Sequence, residues 1–315
     1  MFMTCIDTRT LRLLALALAA AGTLLTALPA WAQMPTGLHR LQHIVVIYLE
    51  NRSFDNLYGL FPGATGIANA GAAALQVDHD GTPFAKLPPV IDTRLRPPAP
   101  DTRFPPDLPN GPFRLEPSVP LAGGLTGDLV HRFYQQQEQI NSGNMNKFAV
   151  VSNAGGLVMG HFDGSTMQLW DYAKRYTLAD HFFHAAFGGS FLNHFWLICA
   201  CSPQHFNAPE DIRAKLDAHG KRVKDGLVTP DGYAVNIMQP EHGPKNPALH
   251  HDELLPPQDM PTIGDRLSAQ GVTWAYYAGG WNEANAGTVE PSRFSYHHQP
   301  FAFFKLSGCE FCNSL

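Results

Sequence analysis

The longest apolar stretch of the chain, Leu13 to Leu28, follows Arg9 and Arg12 and precedes Ala30-Trp31-Ala32. A basic start, an apolar run and an Ala-x-Ala site are the parts of a secretory signal peptide, which we read over residues 1–32. The run is nearly long enough for a membrane anchor, but the helix breakers Gly22 and Pro29 and the cleavage site favour removal. With no Arg-Arg pair the general secretion route is expected, and with it a periplasmic or secreted protein of residues 33–315. No later stretch is apolar enough to span a bilayer, so no stable membrane insertion is expected after cleavage.

The next apolar run, His43 to Glu50 (HIVVIYLE), is short and β-branched, the pattern of a buried strand in a parallel sheet. From Pro62 to about Gly127 the pattern dissolves into Gly, Ala and Pro, with Pro-Pro pairs at 88–89, 97–98 and 105–106, which predicts a long surface excursion. Helical periodicity returns at Asp128–Gln139 and Ser165–Tyr176. A proline-opened helix over Pro261–Gln270 is followed by a strand-like run, Val272–Ala278, and this alternation predicts one α/β domain.

Composition fits that picture. Of 315 residues 44% are hydrophobic and 16% charged, and the net charge of −5 offers no electrostatic reason to expect nucleic acid as a partner. Signal cleavage would remove Cys5 and leave Cys199, Cys201, Cys309 and Cys312, for which an oxidising compartment permits disulfides. Cys309 and Cys312 have C-x-x-C spacing but no second ligand pair. The 15 histidines cluster more than structural roles require.

Candidate chemistry gathers at three places. Phe187-Gly188-Gly189-Ser190-Phe191-Leu192-Asn193-His194 allows a tight turn and places Ser190 at a helix start, where free N–H groups and the helix dipole favour a phosphate. Asn193, three residues on, can reach the same ligand. A plain helix cap explains the octapeptide equally well; Leu192 excludes the serine-hydrolase elbow, which needs glycine there. Glu50-Asn51, at the end of the first predicted strand, offers two hard oxygens to a divalent cation, although a solvated strand end is the simpler account. Tyr296-His297-His298-Gln299-Pro300 predicts a loop in which protonated imidazoles bind phosphate. His131, His181, His184 and the pair His250-His251 read as structural or solvated.

These segments occur in one order in a known family. HIVVIYLENRSFDNLYG and LADHFFHAAFGGSFLNHFWLICA resemble the opening and nucleophile segments of the bacterial phosphoesterases, which include acid phosphatases and phospholipases C. PTIGDRLSAQGVTWAYYAGGWN and SYHHQPF resemble the acid phosphatase branch. The resemblance implies an α/β, alkaline-phosphatase-like fold, a mainly parallel sheet sandwiched between helices. It implies Ser190 as nucleophile, Glu50 and Asn51 as ligands of a divalent metal ion, and His131, Asn193, His297 and His298 lining the phosphate pocket. Small phosphate esters are the implied substrates. Serine at position 190, where similar phospholipases C carry threonine, favours phosphomonoesters over the phosphodiesters of a phospholipase C.

One departure stands against these matches. Family members continue past the His-His segment to adjacent aspartates that complete the metal site and to a further histidine. The tail FAFFKLSGCEFCNSL carries only Glu310 as a carboxylate. The reading at this level is therefore a domain incomplete at its C-terminus, with an inactive phosphate-binding remnant as the alternative to an enzyme.

Overall fold

Ser190–Cys199 forms a helix because its apolar positions repeat at helical spacing, with Phe191, Phe195 and Ile198 all buried along one stripe. The computed structural model describes residues 40–246, 248–250, 253–288 and 294–305. The segment read as a signal peptide, residues 1–32, and Cys309, Cys312 and His251 lie outside the described residues. The chain divides into two units, Met1–Leu49 and Glu50–Leu315, and everything below concerns the second except where stated.

Seven α-helices punctuate that second unit among the described residues: α1 (Phe54–Tyr58), α2 (Phe133–Ile140), α3 (Phe148–Val151), α4 (Gln168–Arg175), α5 (Ser190–Cys199), α6 (Ile263–Ala269) and α7 (Trp281–Asn285). Four two-stranded ladders accompany them. Ile91–Asp92 pairs antiparallel with Ala99–Pro100, and Phe113–Arg114 parallel with Gly160–His161. Lys215–Leu216 pairs antiparallel with Arg222–Lys224, and Gln239–Pro240 parallel with Leu254–Leu255. The class is mixed α/β as expected, with small parallel and antiparallel sheets and no barrel.

Two strand expectations are corrected. Residues 43–49, in the first unit, carry no ladder, and Ile44, Val45, Val46 and Ile47 are each at least 75% exposed. Val272–Ala278 likewise forms no strand; instead Trp274 and Tyr276 pack their rings on Phe301. A β-branched run signals a preference for burial, but it becomes a strand only where a neighbour satisfies its backbone edge.

The helix expectations fare better. α4 and α6 fall inside their predicted spans, and α6 opens on a capping box in which Thr262 and Asp265 serve each other's backbone N–H groups. α2 starts later than predicted: residues 128–132 lie outside it, and Val130 N–H donates to Asn153 Oδ1, not to a helical carbonyl. The proline-rich excursion is more than a surface loop: Val90, Phe104, Leu115 and Val119 build a buried cluster with Ala154, Leu157 and Phe162.

A second cluster positions the site. Phe191, Phe195 and Ile198 of α5 pack with Val228, Met238, Leu255, Phe303 and Phe304. Buried Gln258 clamps the last two: its N–H donates to Phe303 O at 2.7 Å and its C=O accepts from Lys305 N–H at 2.7 Å. The Gln258 amide is itself satisfied by Gln204, so burying it leaves no unmet polar group there. Phe195→Ala should lower stability by about 3–5 kcal/mol in urea unfolding; a loss below about 1 kcal/mol would show that this cluster does not anchor α5.

Candidate active site

Two glycines set the approach to α5. A Cβ at Gly189 would collide with the carbonyl oxygen of His131, so only glycine lets the strand of backbone carrying His131 lie against the helix start. That segment is fixed from the other side as well. Arg132 and Gln135 both donate to Asp225, and Phe133 N–H donates to Asn236 Oδ1 at 3.1 Å. Between them opens a cleft of about 290 Å³ lined by Leu129, His131, Arg132, Ser190, Phe191 and Asn236 among others.

Ser190 is the first residue of α5, with Gly189 as the cap. Asn193 does not face the cleft with a spare amide: its Nδ2 donates to Gly188 O and Gly189 O at 3.1 and 3.2 Å, and its Oδ1 accepts from Ala186 N–H. It is 8% exposed and holds the glycine turn in shape.

Ser190 Oγ lies 2.9 Å from His297 Nε2. His297 is 5% exposed, and burial, followed by the repulsion of His298 and His194, pushes its pKa down to about 3. It therefore meets Ser190 as a neutral imidazole, able to accept from the hydroxyl when its proton sits on Nδ1, and not as the imidazolium expected from the sequence. His298 turns the other way, and its Nε2 donates to Glu50 Oε1 at 3.0 Å. That bond holds the Glu50 carboxyl below its usual range, against the opposing pull of partial burial. The His298 carbonyl accepts from Tyr276 O–H at 2.9 Å, so this irregular turn is tied down on both sides.

One functional candidate went unassigned in the sequence. His194, at i+4 from Ser190, occupies the same face of α5 and is 3% exposed. Its Nδ1 lies 2.7 Å from the Ser190 carbonyl, and its ring stacks on His298 at 4.8 Å. Burial lowers its pKa as well. Glu50, His194 and His298 each offer a ligand atom, all within 4.8 Å of one another, a carboxylate and two imidazoles that fit a divalent cation. The i+4 spacing from the serine was the available signal; without a fold, it could not be told from a packed core histidine. Asn51 follows Glu50, exposed and at φ 83. The structure thus joins Ser190 to His297, Glu50 to His298, and sets His131 at the cleft beside Ser190.

The model of the Phosphoesterase family matches residues 41–307. The chain belongs to the phosphoesterase family. As a phosphoesterase it is a hydrolase of phosphate esters, and small phosphate esters are its substrate class. No curated protein matches the chain. Within this phosphoesterase, Cys199 and Cys201 are disulfide-bonded at the C-terminal end of α5. His181, read as structural, bonds Thr65 Oγ1 at 3.1 Å.

The depressed pKa of His297 has a consequence for stability. Above its ordinary value of 6.5 both folded and unfolded chains carry it neutral; below that the unfolded chain takes up a proton the folded one refuses. Its contribution is thus present above 6.5 and lost as pH falls toward about 3. In urea unfolding between pH 6 and 4, His297→Gln should flatten the acid loss by up to about 1.4 kcal/mol per pH unit. An unchanged slope would mean that His297 titrates normally in the folded chain.

Proposed function

We propose that the chain is a metal-dependent acid phosphatase of alkaline-phosphatase-like fold, hydrolysing phosphomonoesters through a phosphoserine at Ser190, after export to the periplasm or beyond. The observation that carries the reading is the 2.9 Å contact between Ser190 Oγ and a buried, neutral His297. An ordinary histidine loses its acceptor lone pair as the medium becomes acidic. One held neutral to about pH 3 remains a proton acceptor throughout the acid range.

In the first half-reaction Ser190 Oγ attacks phosphorus in line, the Oγ–P bond forms as the ester P–O bond breaks, and His297 Nε2 takes the hydroxyl proton. The leaving oxygen departs into the cleft and takes a proton from solvent water there, while His297 keeps the proton taken from Ser190. In the second half-reaction water attacks phosphoserine and gives up a proton to solvent, the Oγ–P bond breaks as the new P–O bond forms, and protonated His297 returns its proton to Ser190 Oγ, releasing inorganic phosphate. The N–H groups at the start of α5 and the His131 edge of the cleft would hold the phosphoryl oxygens. Bound beside Glu50, a divalent cation would polarise those oxygens and favour the serine alkoxide.

Serine at 190 supports the monoesterase over a phospholipase C. The purified chain should hydrolyse p-nitrophenyl phosphate at acid pH in preference to phosphatidylcholine, and acid quench should trap phosphate on Ser190. Ser190→Ala should lose at least about a thousandfold in kcat/KM, and His297→Ala roughly 100- to 10,000-fold. Full activity in Ser190→Ala, or no hydrolysis of either substrate at any divalent ion, would refute the reading.

A further inference from the structure

Beside Ser190 the cleft is lined by aliphatic side chains and by polar ones whose hydrogen bonds are already made within the protein. We propose that it selects phosphate esters of apolar, uncharged alcohols, short alkyl or aryl, over sugar phosphates, with Val130 and Ile237 as the residues that make the choice. This rests on the reading of Ser190 as the nucleophile and goes beyond it by naming the leaving alcohol.

A sugar needs hydrogen-bond partners for its hydroxyls, and the cleft has few left. Asn153 has both ends of its amide engaged: Oδ1 accepts from Val130 N–H at 2.7 Å and Nδ2 donates to Asp128 O at 3.2 Å. Asn236 is 4% exposed; its Oδ1 accepts from Phe133 N–H and its Nδ2 donates to Gly226 O. Arg132 is paired with Asp225. His131 Nδ1–H donates to Leu129 O at 2.6 Å, which leaves Nε2 alone on that ring. Among the described residues lining the cleft, the polar side chains still able to meet a ligand are therefore Ser190, His131 and, at the rim, Asp128. The phosphoryl group would occupy the first two. A sugar ring carried in behind it would lose water from its hydroxyls and regain little in return.

An alkyl or aryl group meets the opposite situation. Leu129, Val130, Val235 and Ile237 line the same cleft. Ile237 is 47% exposed although Asn236 and Met238 on either side of it are buried. A single exposed aliphatic residue would mean nothing by itself, but this one shares a concave surface with three more. Covering them with an apolar alcohol removes apolar surface from water on both partners, worth up to about fourfold in affinity for each methylene fully buried. The volume, about 290 Å³, is at the small end for a ligand pocket and suits one short chain or one ring better than a two-chain lipid.

The n-alkylphosphonates test this without turnover, because their P–C bond is not hydrolysed. In calorimetry on the full chain, with a divalent salt present, affinity should rise about two- to fourfold per methylene from ethyl- to hexylphosphonate, and inorganic phosphate should displace each of them. With the n-alkyl phosphates, whose leaving alcohols are alike in acidity, kcat/KM should rise in parallel, and glucose 6-phosphate should fall at least about tenfold below hexyl phosphate. Ile237→Ser and Val130→Ser should each cut the hexyl-to-ethyl affinity ratio by at least about threefold. That ratio is taken within one variant, so a partly unfolded sample does not change it. No phosphonate binding, affinity independent of chain length, a ratio unchanged in both variants, or glucose 6-phosphate turned over faster than hexyl phosphate would overturn the proposal. Turnover of ethyl phosphate with a flat series would leave the phosphatase reading standing while this one falls. A rising phosphonate series on a chain that hydrolyses none of the esters would remove the phosphatase reading and keep the apolar selectivity of the cleft.

Discussion

The packing of Phe191 and Phe195 against Phe303 and Phe304 is the contact on which the site depends. Phe195 meets Phe303 at 5.1 Å and Phe304 at 5.7 Å, and Phe191 meets Phe303 at 5.9 Å. Phe191 follows Ser190 directly, and Phe303 lies five residues beyond His298. A single aromatic cluster therefore brings Ser190 and the histidine pair together although more than 100 residues separate them. The 2.9 Å contact of Ser190 with His297 needs that much precision, and a rigid, buried aromatic core supplies it where a hydrogen bond alone would not.

The same burial sets the chemistry of the imidazoles. Three rings, His194, His297 and His298, crowd within 4.6 to 5.7 Å of one another, and Glu50 is the carboxylate among them. Three imidazolium ions at such spacing would repel strongly in a poorly solvated site. Glu50 can offset one. The arrangement is stable only with most of the rings neutral, and neutral imidazoles are proton acceptors and metal ligands. The site's chemical character thus follows from how many charges the core allows, more than from the identity of any one residue.

Much of this was legible beforehand. The glycine pair, Ser190 at a helix start, and the capping box of α6 are local features with local causes, and local patterns predict them well. The expectation at 296–299 holds in part: adjacent histidines cannot share a face of a regular element, and His297 and His298 do turn to different partners, but from a short 3-10 helix, Tyr296–His298, and not from an irregular loop. What failed was non-local. His43–Glu50 and Val272–Ala278 have strand composition, but a strand exists only by pairing, and pairing is not written in the segment itself. His194 was hidden for the same reason: its partners Glu50 and His298 lie 144 and 104 residues away, and only the fold shows that they meet. Asn193 shows the reverse case, a residue whose spacing suggested the ligand and whose amide is spent on the glycine turn.

Charge in the cleft leads to a last step. Arg132 lines it, but its guanidinium is tied to Asp225, so it is not at liberty to meet a phosphate dianion. His297 is neutral. What remains on the protein side is the start of α5 and the imidazole edge of His131, and a helix terminus stabilises a nearby anion by about 0.3–1 kcal/mol, or about 2 when partly buried. Desolvating a dianion beside an apolar wall such as Leu129 and Phe191 costs more than that. The geometry therefore leaves little positive charge beside Ser190, and Glu50 with its two imidazoles is the group in the described residues that could hold a cation to meet it. The proposed metal dependence would, on this argument, be a consequence of how Arg132 is spent on Asp225.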